Sequence, residues 1–432
     1  MIPHSRRTHV RWWICLIVFF ATTIIYSDRQ FLSLLKSTLA NEIHWTDTQF
    51  ASVNSCFLGA YAFGLLFFGR FIDRVGVKIG YATTVFFWSL AAFSHTLVTS
   101  VEGFMAARIF LGLSEAGNFP AAIKTIAQWF PQTERAFATA LFNSGANVGA
   151  IVAPFLVAWL LKVSTWHAPF FIAGGAGFIW LAVWWLFYGT PEKHRLVSPD
   201  ELAWIRSESV SAKENAPAVP LVSLLGYSQT WSFIVAKCLT DPVWFFLLFW
   251  LPDYFKKTRG LDIKSSWPHL MTIYFIVTVL SLVGGYIPGY LTRRGWSVTR
   301  ARKTGLFCYA LLVLPILVVG RVDNWTAVLL IGLIGAAHQA WSANLYTTVS
   351  DMFPRNTIGS IIGLGSMAGA IGSMLFQHVC GHVLDAYGIG YARTGYFLLF
   401  AYAAFAYLVA FGLQHLLAPK FEPVNMKMSS RP

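Results

Sequence analysis

Charge is what this 432-residue chain has least of: Asp, Glu, Lys and Arg make up 12% of it. A soluble domain carries roughly 25%, so a solvated globular surface is excluded. The 56% of hydrophobic residues point to a polytopic membrane protein. Acids are the scarcer sign, 19 against 32 bases, leaving a formal charge of +13. In a soluble chain that excess would suggest nucleic acid. Here the bases gather at the ends of apolar runs, as positive-inside topology predicts, and no nucleic-acid partner is expected. The five cysteines, Cys15, Cys56, Cys238, Cys308 and Cys380, lie in or beside apolar runs without a CxxC pair. They are expected to form neither disulfide nor metal site. No GxxxxGK[ST] phosphate loop occurs, so ATP is not needed. No cleavable signal peptide is expected, because the first apolar run is too long and contains Asp28 and Arg29. No nucleophile–base set is visible and no loop could hold a soluble catalytic domain, so an enzyme is not expected.

What the chain does have is about twelve segments long enough to cross a bilayer as helices. They are placed at 12–39, 46–70, 79–98, 101–127, 134–161, 166–188, 229–255, 267–292, 303–321, 325–349, 357–385 and 391–417. The one long polar stretch, 189–228, separates six segments from six. The expectation is an all-α membrane protein of two six-helix bundles, 1–188 and 229–432, joined by a cytoplasmic connector. Two membrane halves around a midplane site are a recurrent transporter design. Within the connector, Ser198-Pro199-Asp200-Glu201 combines an N-cap, a first-turn proline and a capping-box acid; 216–220 reads as a linker. Arg6, Arg7 and Arg11, then Arg70, Arg74 and Lys78, then Lys193, Arg195 and Arg206, then Arg293, Arg294, Arg300, Arg302 and Lys303 put both termini in the cytoplasm. One segment disobeys: Lys256, Lys257, Arg259 and Lys264 fall outside, partly offset by Asp253 and Asp262. Gly145, Gly149, Gly284, Gly285, Gly363, Gly365, Gly369 and Gly372 allow close helix packing and sliding.

Four charges stand where charges are costly. Asp28, Arg29, Arg108 and Glu115 lie inside apolar spans, where an ionisable group costs roughly 2.5–3.5 kcal/mol unless it meets a cavity or a partner. Two acids and two arginines in two spans therefore predict a polar site within the membrane. Arg108 and Glu115, seven apart, share a helix face; Asp28 and Arg29, about 100° apart, serve different partners. Arginine offers a planar fork for a carboxylate and stays charged, whereas a carboxylate can switch: desolvation favours its protonated form and a nearby arginine its ionised form. Asn143 and Asn147 are one turn apart in the fifth span, and Gln339, Ser342 and Tyr346 share a face of the tenth, with Ser366 in the eleventh. Together they suggest a polar cavity, although each alone could be an interhelical hydrogen bond. Lys237 and Asp241, at i and i+4 beside Pro242, are expected to pair in a structural or gating role. His378, His382 and Asp385 have metal-like spacing but read better as interfacial histidines. Asn324-Trp325-Thr326 matches a glycosylation sequon, which matters only in a eukaryotic secretory pathway.

The loop Gly69-Arg70-Phe71-Ile72-Asp73-Arg74-Val75-Gly76-Val77-Lys78 resembles the GxxxDRxGxK loop of the major facilitator superfamily. Gly69 would allow close helix approach, Gly76 a tight turn, and Asp73 a pairing with arginines or a helix N-terminus; with Arg74 they form a candidate conformational latch. A second copy, 289–295, lacks the acid. The fourth-span string from Arg108 to Pro120, followed by Trp129-Phe130-Pro131 and Glu134-Arg135, resembles the anion:cation symporter family. So do Lys237-x-x-x-Asp241-Pro242-x-Trp244 and His338-Gln339-Ala340 leading to Ser350-Asp351-Met352-Phe353-Pro354. The likeness runs over nearly the whole chain and favours the hexuronate and galactonate branch. It implies a bacterial inner-membrane symporter taking up a sugar acid, with protons as the coupling ion and no other cofactor, working as a monomer. Arg29 would bind the anion. Asp28 and Glu115 would carry protons, with Arg108 holding one acid until protonation. Tyr26 and Tyr61 resemble positions that face the cavity. The rival is another organic anion: aromatic, dicarboxylic or phosphorylated.

Overall fold

The computed structural model describes residues 8–207 and 220–424, so most of the expected linker at 216–220, like Arg6 and Arg7, lies outside the described residues. In chain order the α-helices are α1 (Val10–Ile43), α2 (Asp47–Val75), α3 (Val77–Ser94), α4 (Val101–Glu115), α5 (Asn118–Trp129), α6 (Gln132–Val163) and α7 (Ala168–Phe187). The short helices α8 (Pro199–Arg206) and α9 (Leu221–Leu224) follow. Then come α10 (Ser228–Arg259), α11 (Ile263–Arg293), α12 (Val298–Val313), α13 (Asn324–Met352), α14 (Arg355–Tyr387) and α15 (Ala392–Leu417). Helices prevail because only a helix satisfies every backbone polar group from within one crossing segment. Among the described residues ten helical segments are long and apolar enough to cross a membrane. The 18-residue α3 and the α4–α5 pair supply the two remaining spans of a twelve-helix fold.

The fourth span, expected as one run, is broken after Glu115. Pro120 has no N–H to offer the Ala116 carbonyl, and its ring crowds that carbonyl, so α4 cannot continue into α5. Glu115 therefore closes a helix.

The chain forms two compact units that do not divide at its midpoint. The first holds the described residues up to 207 together with 248–271 and 377–386; the second holds 220–247, 272–376 and 387–424. In the first unit α1 packs along α6, α2 along α4 and α3 along α7. Close approach explains two of its glycines. A Cβ on Gly112 would lie 2.4 Å from the Phe57 carbonyl oxygen of α2, and one on Gly149 would lie 2.4 Å from the Thr23 carbonyl oxygen of α1. Gly69 is different: a Cβ there would meet open space, so it admits no close neighbour and the sequence expectation is corrected. Gly76 does turn the chain, at φ +84°. Gly285 and Gly363 also face open space. In the second unit α12 packs on α13 and α15.

The connector is docked rather than loose where it is described. Ser198 caps α8 by accepting from the Glu201 amide, but Glu201 does not complete the expected capping box. Its fully buried carboxylate reaches α1 instead, accepting from the amides of Val10 and Arg11, both at 3.1 Å, and from Arg11 Nη1 at 3.1 Å. Helix α1 has no side-chain cap from its own N-cap residue, and its exposed first-turn N–H groups attract an anion more strongly than the backbone of Ser198 does.

Candidate functional site

The charged residues of the first and fourth spans meet inside the first unit. Asp28, Arg108 and Glu115 are 1%, 0% and 1% exposed, and Arg29 is 4% exposed. Arg29 Nε donates to Glu115 Oε2 at 2.6 Å, closing a buried ion pair between α1 and α4. The Arg29 guanidinium is caged by aromatic faces: the rings of Tyr61, Tyr26 and Phe57 lie 4.6, 4.8 and 5.5 Å from its carbon. Stacking leaves the edges of the planar group available for in-plane hydrogen bonds, the arrangement a carboxylate fork needs.

Arg108 was expected to hold one of the acids. Here Glu115 is held by Arg29, while Arg108 lies over the Phe57 ring at 5.7 Å and its three guanidinium nitrogens make no hydrogen bond. The geometry accounts for this: Glu115 sits at the end of α4, within reach of the α1 arginine, while Arg108 is nearly two turns back. Both oxygens of Asp28 and Oε1 of Glu115 are likewise buried without a partner. Asp28 is within electrostatic range of Glu115, Arg108 and Arg29. Buried polar groups without partners are rare in folded proteins and mark functional chemistry or bound solvent.

Two residues of this centre escaped the sequence analysis. Phe57 lies under both arginines. Asn54, fully buried with both amide atoms unpartnered, lies one turn away on α2. The signal was available: Asn54, Phe57 and Tyr61 recur at i, i+3 and i+7, one face of a helix. On α6, Asn147 is half-buried and Asn143 exposed.

In the second unit Lys237 Nζ pairs with Asp241 Oδ2 at 2.8 Å and lies 4.7 Å from the Tyr346 ring. The carboxylate fits a notch on α14, where a Cβ on Gly369 would lie 2.2 Å from Asp241 Oδ2. Tyr346 and Ser366 meet at 3.4 Å. Gln339, Ser342 and Tyr346 are all half-buried, as one shared face requires. The sequence places Asp73 and Arg74 in a loop, but both lie in the last turn of α2: Asp73 pairs with Lys124 of α5 rather than with an arginine or a helix end, and Arg74 is exposed. The histidine cluster resolves into separate contacts. His382 Nδ1 lies 3.4 Å from Thr48 Oγ1, and Asp385 accepts from the amides of Asp47 and Thr48, both at 2.8 Å.

Comparison with known proteins gives relatives along most of the chain. The hexuronate transporter of Escherichia coli strain K12 is 29% identical over 383 residues, covering 88% of this chain and 89% of that protein. The D-galactonate transporter of Escherichia coli O6:H1 is 26% identical over 416 residues, covering 93% and 96%. Among solved structures, a bacterial homolog of the human lysosomal transporter Spinster, in an inward-facing and occupied conformation, superposes with a TM-score of 0.75. It is 15% identical and covers 95% of this chain and 97% of its own, a likeness of fold alone. The family model matches residues 18–377, from the first span through the eleventh. The chain therefore belongs to the Major Facilitator Superfamily, a family of membrane transporters and not of enzymes.

Proposed function

We propose that the protein takes up a sugar acid, a hexuronate or hexonate carrying one carboxylate, together with protons, by alternating access. It would sit in a bacterial inner membrane with both termini cytoplasmic and work as a monomer. The observation that carries the reading is the Arg29–Glu115 ion pair, buried at membrane depth inside a cage of Tyr26, Tyr61 and Phe57. The hexuronate and galactonate relatives supply the substrate class.

The chemistry follows from competition for one guanidinium. A substrate carboxylate that takes the Arg29 fork withdraws the hydrogen bond and the counter-charge from Glu115. A buried carboxylate without compensation is expensive and takes up a proton instead. Release of the substrate on the other side returns Arg29 to Glu115 and expels the proton. Substrate and proton thus occupy the site together because one arginine cannot neutralise two carboxylates. Asp28, in electrostatic range of the same groups, is the second candidate proton carrier. Tyr26, Tyr61, Asn143, Asn147, Gln339, Ser342, Tyr346 and Ser366 are the candidates for hydroxyl recognition.

The test is uptake of galacturonate, glucuronate and galactonate into proteoliposomes, with and without an inward proton gradient. Gradient-driven accumulation is expected for at least one. Arg29→Ala should lower uptake at subsaturating substrate by about 100-fold, the worth of a charge-assisted bidentate contact near 3 kcal/mol. Glu115→Gln should abolish uphill accumulation while retaining exchange. Transport of none of the three by folded protein would move the substrate to another class of organic anion; undiminished uphill uptake by Glu115→Gln would overturn the coupling scheme.

A further inference from the structure

In the first unit, the face shared by α3 and α7 carries an apolar groove of about 690 Å³. Small side chains line its length, Ala82 from α3 and Ala182 from α7. Phe86, Phe87 and Phe178 gather at one end, edge to face, with ring centres 5.5 and 5.9 Å apart. Ile79 and Trp185 flank the other end. Thr83 also lines the groove, but its hydroxyl donates to the Ile79 carbonyl at 2.9 Å and offers a ligand no free proton. Buried rings stiffen α7 behind the groove: Trp184 stacks on Trp180 at 5.1 Å and on Tyr188 at 3.9 Å. Trp184 Nε1 donates to the Lys78 carbonyl at 3.1 Å and fixes the start of α3 against the end of α7.

The Trp185 end is positive. Lys78 stands in the first turn of α3, half-buried, with Nζ 5.4 Å from the Trp185 ring. Among the described residues no acid pairs with it, and the acid nearest in sequence, Asp73, is engaged by Lys124. Helix α3 has neither a side-chain cap nor an acid in its first turn. Its N-terminal amides thus set positive partial charge beside a full positive charge, a combination that attracts an anion. From Ile79 to Phe87 the helix rises about 12 Å, close to half of a hydrocarbon core of about 30 Å. The groove therefore runs from headgroup level, marked by a lysine and a tryptophan, toward the middle of the bilayer.

We propose that this groove binds an anionic phospholipid of the leaflet on the N-terminal side of α1. One acyl chain lies between α3 and α7, and Lys78 with the first turn of α3 holds the phosphate. A lipid satisfies both parts at once: hydrocarbon against alanine and phenylalanine, phosphate against the cation. A polar solute would find no free hydrogen-bonding group along the groove. Because the rings behind it stiffen one wall, little ordering opposes binding. The lipid bridges α3 and α7 and stabilises the first unit. Lys78, one of the bases that set topology in the sequence, has a second task as a lipid ligand.

The experiment needs no transported substrate, so failure of the sugar-acid reading would leave it intact. The full-length protein, stripped of lipid in detergent, is titrated with phosphatidylglycerol or phosphatidylcholine of identical acyl chains, and native mass spectrometry counts bound lipid. The first phosphatidylglycerol should bind about fivefold more tightly than the first phosphatidylcholine, the discrimination expected of one lysine near an anionic group. Lys78→Gln should bring that ratio to about one, and Lys78→Arg should keep it. Lys420→Gln, at an exposed lysine of the second unit, should leave it unchanged. Ala182→Phe, filling the groove from an exposed position, should weaken both lipids by about tenfold. Excess phosphatidylglycerol should raise the unfolding temperature of the parent and of Lys78→Arg, but not of Lys78→Gln or Ala182→Phe. Monodispersity on size exclusion confirms folding of each variant. Equal parental affinity for the two lipids, an unchanged ratio in Lys78→Gln, or an equal fall in Lys420→Gln would overturn the proposal. So would a dimer of the parent that Ala182→Phe dissociates, which would assign the groove to a second copy of the chain.

Discussion

Replacing Glu201 by alanine tests whether the connector is part of the first unit or only a tether. The carboxylate accepts four hydrogen bonds: from Thr8 Oγ1 at 2.6 Å, and from Val10 N, Arg11 N and Arg11 Nη1 at 3.1 Å each. Two of these donors are first-turn amides of α1, which its own N-cap residue His9 does not cap. Hydrogen bonds to a charged group are worth about 1.5–3 kcal/mol each, but they are not additive and water reaches part of what is vacated. Arg11 keeps Glu134, at 2.9 Å. The balance is a loss of about 4 kcal/mol for Glu201→Ala, within the range for breaking one side of a buried pair. Glu201→Gln retains one acceptor and should cost about half as much. Unfolding in mixed micelles, extrapolated linearly to zero denaturant, measures both values. A loss below about 0.5 kcal/mol, the level of an ordinary surface substitution, would refute the docking of α8 on α1.

Two further outcomes follow from the packing and the caps. Gly112→Val should destabilise by about 1–3 kcal/mol through overpacking against the Phe57 carbonyl, while Gly285→Ala, facing open space, should be nearly neutral; thermal unfolding in detergent compares them. Asp323, at the N-terminus of α13, is held below the usual carboxylate range by its bonds to the Thr326 hydroxyl and to the Thr326 and Trp325 amides. A depressed folded-state value stabilises above the unfolded-state one and is lost as pH falls through the folded one. Acidification from pH about 5 to about 3 should therefore weaken the parent more than Asp323→Asn, seen as a steeper fall in unfolding temperature.

Fold and site were legible to different depths. Span number follows from apolar length, and the charged residues of the buried cluster stand out through the cost of charge in lipid. Those are properties of single segments. Partner choice is not. Arg29 and Arg108 each stand in a span with an acid, and only the end of α4 at Pro120 decides that Glu115 meets the α1 arginine. Glu201 carries every mark of a local capping box, yet a longer-range donor set outcompetes Ser198, and nothing local in sequence announces Val10 and Arg11. Gly69 belongs to a recognisable motif without serving close packing. Lys257 reads as a topology error until Lys36, Asp47 and Asp253 are placed around it. In each case the missing information is which helices face one another.

Under the proposed proton symport, the charge balance of the membrane site bounds the coupling ratio. Asp28, Glu115, Arg29 and Arg108 sum to zero when both acids are ionised, and all four are at most 4% exposed. A monovalent substrate brings this buried group to minus one. The cost of uncompensated charge in a low-dielectric site is several kcal/mol, so one proton is the minimum that restores neutrality. Two acids set the maximum at two. One proton per sugar acid moves no net charge; two move one positive charge inward and add the membrane potential, about 2.3 kcal/mol per 100 mV, to the driving force. Current recorded from proteoliposomes on a solid support, after a jump in glucuronate or galactonate, separates these cases. Silence means one proton and an inward positive current means two. Asp28→Asn should turn a current into silence, since it removes one of the two sites. An inward movement of negative charge in the parent would mean that the anion crosses without a proton, and would refute the assignment of Asp28 and Glu115 as proton carriers.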